Sequence, residues 1–139
     1  IVGMTIKQRE DLMGELFVGV HWGCQVNDSD GPLDQHVSMI FCSGLPLGDY
    51  ARSGVRRGDA EALAELVQDG MHEATMLAGV LNQAKFMNNT VVLTKLGHGA
   101  FGNETSWVVK ARNRAMVRCP FPLDVLQYHY SRREPEFDY

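Results

Sequence analysis

The sequence predicts an α/β domain with a largely parallel central sheet. Three features predict it: short apolar runs of strand length, two longer stretches with helical apolar spacing set between them, and a glycine-rich loop joining a strand to a helix. The 139 residues suit a single domain, and with 45% hydrophobic and 22% charged residues the chain can bury a core, which excludes intrinsic disorder. No apolar run approaches the roughly 18 residues of a membrane-spanning helix, so no membrane partner is expected. A formal net charge of -4 argues against the nucleic-acid backbone as a partner.

Residues 15–22 (ELFVGVHW) alternate loosely and carry Phe, Val and Trp, as a short strand does. A turn cluster, NDSDGP, follows at 27–32. Residues 37–44 (VSMIFCSG) have a near-continuous apolar middle, the pattern of a strand buried on both faces. Residues 48–59 (GDYARSGVRRGD) lack periodicity and read as a surface loop. Asp59 then caps a helix running to about Lys85, because Leu63, Leu66, Val67, Met71, Ala74, Leu77, Ala78 and Leu81 recur at intervals of three or four. Gly70 and Gly79 inside it each cost about 1 kcal/mol of propensity relative to Ala, so close approach of a neighbour is expected at both.

Asn88 and Asn89 make a turn, and residues 90–96 (TVVLTKL) form a β-branched, buried strand. A helix over 105–118 follows the glycine loop, with Thr105 or Asn103 as N-cap and Arg112, Arg114 and Arg118 toward its negative end. CPFP at 119–122 breaks the chain. Residues 123–130 set Val125, Gln127 and His129 against Leu126, Tyr128 and Tyr130, a half-exposed strand, and residues 131–139 form a polar, frayed tail. Cys24, Cys42 and Cys119 are an odd number without paired spacing, which points to a reducing, cytoplasmic compartment. No basic stretch followed by an apolar one marks a signal peptide. The chain starts without Met, and four strands with two helices make a sparse sheet, so part of the domain is expected to precede it.

The loop Leu96, Gly97, His98, Gly99, Ala100, Phe101, Gly102, Asn103 is the one feature with chemical content. Its glycines let backbone N–H groups approach a ligand, and the helix start adds unpaired donors and a positive dipole end. That is an anion cradle suited to phosphate, although the same glycines also serve a tight turn with no ligand. A P-loop would need Lys and Ser/Thr where Asn103 and Glu104 stand. The likeness to a kinase glycine loop fails because Lys110 is too close and no HRD or DFG tripeptide exists. A dinucleotide fingerprint fails because only one further strand follows.

The stretch VVLTKLGHGAFGN at 91–103 resembles the second phosphate-binding loop of the macrodomain superfamily, in its poly(ADP-ribose) glycohydrolase-like and related macro-like branch. VSMIFCSGLP at 37–46 resembles the preceding central strand with its small-residue end, and the helix from Asp59 falls between the two; the likeness spans residues 16–125. It implies the C-terminal part of a three-layer α/β/α fold that binds ADP-ribose or a related nucleoside diphosphate, without a further cofactor. By that resemblance the N–H groups of Gly97, His98, Gly99, Ala100, Phe101 and Gly102 hold the diphosphate. Phe101 packs on the distal ribose or into the core, and Asn103 bonds the ligand or caps the helix. Ser43 and Gly44 lie where open α/β sheets place ligands. The family's first glycine loop, Asn-rich segment and paired glutamates have no counterpart, so the catalytic residues are unknown. The alternatives are a hydrolase of ADP-ribosyl or nucleotide substrates with its acid/base groups elsewhere, and an interaction domain without ligand.

Other constellations carry less. His21, Cys24 and His36 have a metal-compatible spacing but no accompanying C-x-x-C or H-E-x-x-H, so no metal is expected. Cys42 is either a nucleophile with His72 or His98 as base, or inert core. His72 and Glu73 read as a solvated pair, and His98 as a phosphate contact, an acid/base group or an exposed loop residue. Asp28, Asp30 and Asp34 suit a cation or plain turn chemistry.

Overall fold

A computed structural model describes residues 1–26, 31, 34–52, 54, 56–130 and 133–137. Asp28, Asp30 and most of the expected 27–32 turn lie outside the described residues. The chain is mixed α/β, and its first element is a helix that the strand and helix spacing above did not reveal, α1 (Ile6–Gly14). A capping box starts it: the Gln8 N–H donates to Thr5 Oγ1 at 3.2 Å while the Thr5 N–H donates to Gln8 Oε1 at 2.9 Å. Charge ties α1 to the rest, through Arg9 with Asp69 at 2.9 Å and Arg118 with Glu10 at 2.8 Å.

Strands β1 (Gly19–Gln25) and β2 (His36–Phe41) form an antiparallel pair, in register from Gly19 opposite Phe41 to Gln25 opposite His36, with an irregularity between His21 and Cys24. β2 is not buried on both faces as its apolar middle predicts. Ser38 and Ile40 are half-buried, while Val37, Met39 and Phe41 are exposed, Phe41 at 53%. Within the expected surface loop a short helix forms, α2 (Leu47–Arg52).

The central element is α3 (Arg57–Phe86), a helix of 30 residues. It starts two residues before Asp59, which is not its cap: Asp59 sits in the first turn and accepts from Arg56 Nε at 2.9 Å. Met87 ends it in the left-handed conformation, and the Thr90 N–H bonded to Asn88 Oδ1 at 2.9 Å makes the predicted turn. The buried face is rotated from the predicted stripe. Leu66, Met71 and Met76 are buried together with Gln68, Asp69 and His72, whereas Leu77 and Leu81 are each 53% exposed. The two helical glycines do mark close approach: an added Cβ would run into the Leu16 side chain at Gly70 and into Val91 at Gly79.

Strands β3 (Thr90–Leu93) and β4 (Asp124–Gln127) pair in parallel, Thr90 opposite Asp124 through Leu93 opposite Gln127, with α4 (Thr105–Arg118) as the crossover between them. Both strands are shorter than the runs 90–96 and 123–130. Met76, Val91, Leu93 and Ala115 form the core, joined by Met116, Cys119, Leu123 and Val125. Among the described residues the strands therefore make two two-stranded sheets, one antiparallel and one parallel, rather than one largely parallel sheet. The tail is not frayed over residues 133–137. Phe137 is 1% exposed, its carbonyl accepts from buried Arg112 Nη1 at 2.8 Å, and Lys95 pairs with Glu134 at 2.5 Å. Among the described residues no helix is long and apolar enough to cross a membrane.

Candidate functional site

The carboxyl end of β2 and the glycine loop after β3, 53 positions apart in the chain at Gly44 and Gly97, are brought into backbone contact. A Cβ on Gly44 would lie 2.6 Å from Gly97 Cα, and one on Gly97 would lie 2.6 Å from Gln68 Nε2. Gly97 has φ +71, so both space and conformation demand glycine there. Ser43, exposed beside them, donates from Oγ to the Gly44 carbonyl at 3.0 Å.

Two amide side chains lock this contact. Gln68, fully buried on α3, donates from Nε2 to the Leu96 carbonyl at 2.8 Å and to Asn103 Oδ1 at 3.0 Å. Asn103 passes the link on, donating from Nδ2 to the Leu45 carbonyl at 2.7 Å. The Asn103 N–H closes the loop on the Gly97 carbonyl at 3.1 Å. Asn103 is thus buried, with its side-chain amide bonded within the protein, and it is not the cap of α4. Thr105 is not the cap either: Glu104 holds the N-cap position of α4 without a side-chain bond. Gln68 was missed in the sequence because it sits inside a helix whose apolar spacing hid it, and its Oε1 is buried without a hydrogen-bond partner among the described residues.

The locked loop leaves donors exposed. Gly99–Phe101 form a single 3-10 turn between Gly99 at φ +76 and Gly102 at φ +73. The N–H groups of Gly99, Ala100 and Phe101 meet no acceptor among the described residues, and neither do those of Thr105 and Ser106 in the first turn of α4. Phe101 stands outside the core, 39% exposed. Beside the loop, His98, Thr105, Arg133, Glu134, Pro135 and Glu136 line a polar cavity of about 410 Å³. The hydrogen bond from Lys95 holds the Glu134 carboxyl below its ordinary range, so it stays ionised.

The remaining candidates do not assemble. Cys42 meets Thr75 Oγ1 at 4.0 Å rather than an imidazole, and burial pushes its thiol up, away from the thiolate a nucleophile needs. His72 is not solvated: it is buried, Nδ1 lies 2.8 Å from the Gln68 carbonyl, and desolvation lowers its pKa. Glu73 is paired with Arg114 at 2.9 Å and Arg118 at 3.3 Å. His21 stacks edge-on against Phe41 at 4.9 Å and His36 faces Asp34 at 3.5 Å, and no group of three metal-ligating side chains forms among the described residues. Comparison with known proteins finds no match to this chain among family models, curated proteins or solved structures.

Proposed function

We propose that this chain binds ADP-ribose or a related nucleoside diphosphate at the loop spanning Gly97 to Asn103, within a macrodomain-like three-layer arrangement to which both strand pairs contribute. One observation carries the reading: exposed N–H groups of Gly99, Ala100 and Phe101 stand next to the unpaired first-turn donors of α4, on a loop fixed from beneath by Gln68 and Asn103. A diphosphate placed there gains several N–H bonds and the positive end of a 14-residue helix. Exposed Phe101 offers a ring face to a sugar, Ser43 and Gly44 border the same end, and His98 lies at its side.

Calorimetric titration with ADP-ribose, AMP and ribose 5-phosphate tests the reading, using Gly99→Glu and Gly99→Ala. Both variants carry the same strain at φ +76, and both have open space for a Cβ, so only Glu adds negative charge. Binding that survives Ala and weakens more than about tenfold with Glu, some 1.4 kcal/mol, is the expected result. No heat from folded wild-type protein overturns the ligand reading. Where binding holds, release of ADP-ribose from a modified protein separates a hydrolase from a binding module.

A further inference from the structure

The wall that faces the glycine loop carries charge of the wrong sign for phosphate. Glu134, from the segment after β4, lines the polar cavity opposite His98, which opens the 3-10 turn, and Thr105, which opens α4. Lys95 chiefly, with the His98 and His129 rings after it, keeps the Glu134 carboxyl ionised. A fixed carboxylate beside an anion loop weakens the hold on phosphate unless it meets a neutral donor on the same ligand.

This carboxylate is set in place. Lys95 Nζ pairs with its Oε1 at 2.5 Å, and the Glu134 N–H donates to His129 Nδ1 at 3.3 Å. Three residues on, Phe137 anchors the segment. Its buried ring has Lys95 Nζ at 5.3 Å, the Arg112 guanidinium at 5.8 Å and the His129 ring edge-on, and Arg112 Nη1 holds its carbonyl. The carboxylate is thus fixed through its head, its backbone and its neighbour.

Its remaining valence selects the ligand group. Among the described residues no donor meets Oε2, and a carboxylate has about four lone-pair sites. A second phosphate would be repelled there, and an apolar group would leave the acceptor unpaired. A cation gains little, because Lys95 already balances the charge. Hydroxyl groups fit, and the vicinal pair on a ribose presents two donors to one carboxylate. The cavity, about 410 Å³, lies within the range of small-molecule sites.

We propose that Glu134 is the specificity-determining residue of the glycine loop, accepting from the 2′ and 3′ hydroxyls of a ribose whose 5′ phosphate is held by the N–H groups of Gly99, Ala100 and Phe101. The site thereby takes ribosyl phosphates over phosphates without a diol. This inference rests on the anion reading of the loop and adds the sugar that the loop selects.

The test uses the full chain with three probes, inorganic pyrophosphate, ADP and 2′,3′-dideoxy-ADP, followed by calorimetry and by the NMR amide resonances of Glu134 and Glu136. Tighter binding of ADP than of its dideoxy analogue, by at least about tenfold, is the expected result. In Glu134→Gln, which keeps an oxygen for Lys95 and loses the charge, that preference is expected to fall below about threefold while pyrophosphate binds at least as well. Equal affinity for the two nucleotides, with pyrophosphate bound, overturns the proposal and leaves the anion loop standing. Failure of pyrophosphate and ADP alike overturns the loop reading and this one with it. A diol preference that persists in folded Glu134→Gln assigns the hydroxyls to another residue and also overturns it. Should that variant not fold, the wild-type amides decide: larger shifts with ADP than with the dideoxy analogue support the assignment, and equal shifts overturn it.

Discussion

The same two strands behave differently at their two ends. At the carboxyl end, β2 and β3 lead into loops pressed together backbone to backbone; a few residues earlier, a cavity separates them, and among the described residues they are not paired as strands. The closed end is made without strand pairing. Two glycines remove the side chains that would hold the loops apart, and Gln68 and Asn103 supply bonds that a ladder would otherwise give. The candidate anion loop therefore has its shape set by side-chain amides from α3 and the loop itself, and it does not need a completed sheet.

The largest effect is expected from breaking the closed end. Gly44→Ala puts a Cβ 2.6 Å from Gly97 Cα and 2.9 Å from Gln68 Nε2, and the nearer obstacle is backbone that has no side chain to swing aside. Overpacking of this kind costs about 1–3 kcal/mol, and the upper part of that range is expected here, read as a lowered midpoint of denaturant unfolding with unchanged slope. An unchanged midpoint would show that the loops part without penalty. Asn103→Ala ranks next. It strips Gln68 Nε2 of one acceptor and leaves the Leu45 carbonyl without its 2.7 Å donor, a loss of about 1–3 kcal/mol with its centre near 2. Wild-type stability in that variant would remove the amide lock from the account of the site.

Much of the site was legible, and the reasons differ by residue. Gly97, Gly99 and Gly102 announce themselves because left-handed backbone between a strand and a helix needs them. α4 follows from its spacing, and its bounds at Thr105 and Arg118 agree with the sequence reading. Gly70 and Gly79 were readable as places of close approach because nothing else explains glycine in a helix interior. Gln68 and His72 were not legible, since a polar residue inside a helix looks like solvated surface until a neighbouring loop is known to cover it. The burial of β2 on both faces was misread because an apolar run signals burial by any partner, and here Val37, Met39 and Phe41 stay 38%, 42% and 53% exposed. α1 was readable in principle, since Thr5 and Gln8 are spaced as a capping box.

His72 sharpens the comparison through pH. It lies one turn along α3 from Gln68, under the closed end, with Arg112 and Asp69 as the charged groups that act on it. Burial is the main cause of its lowered pKa; Arg112 adds to that, while the Gln68 carbonyl and Asp69 oppose it. Above pH of about 6.5 folded and unfolded chains both hold a neutral ring. As pH falls below that value the unfolded chain takes up a proton first, so stability declines until the folded ring titrates as well. His72→Gln is expected to flatten this part of the stability profile. A profile as steep as wild type would assign the acid sensitivity to other groups.

The smallest effect belongs to the open region, and its smallness is the point. Met39 is exposed on the outer face of β2, opposite His21, so Met39→Thr keeps a strand-forming residue while removing apolar surface that contacts little. The expected change is within about 0.5 kcal/mol, the ordinary scale for surface substitutions. Val91→Thr offers the contrast one strand away. That side chain is buried against Gly79 and the core, and a hydroxyl there loses packing and strands a polar group, at about 1–3 kcal/mol. Equal costs at the two positions would mean that the outer face of β2 is already covered in the chain as it folds, and the division into a locked end and an unfilled middle would fall with it.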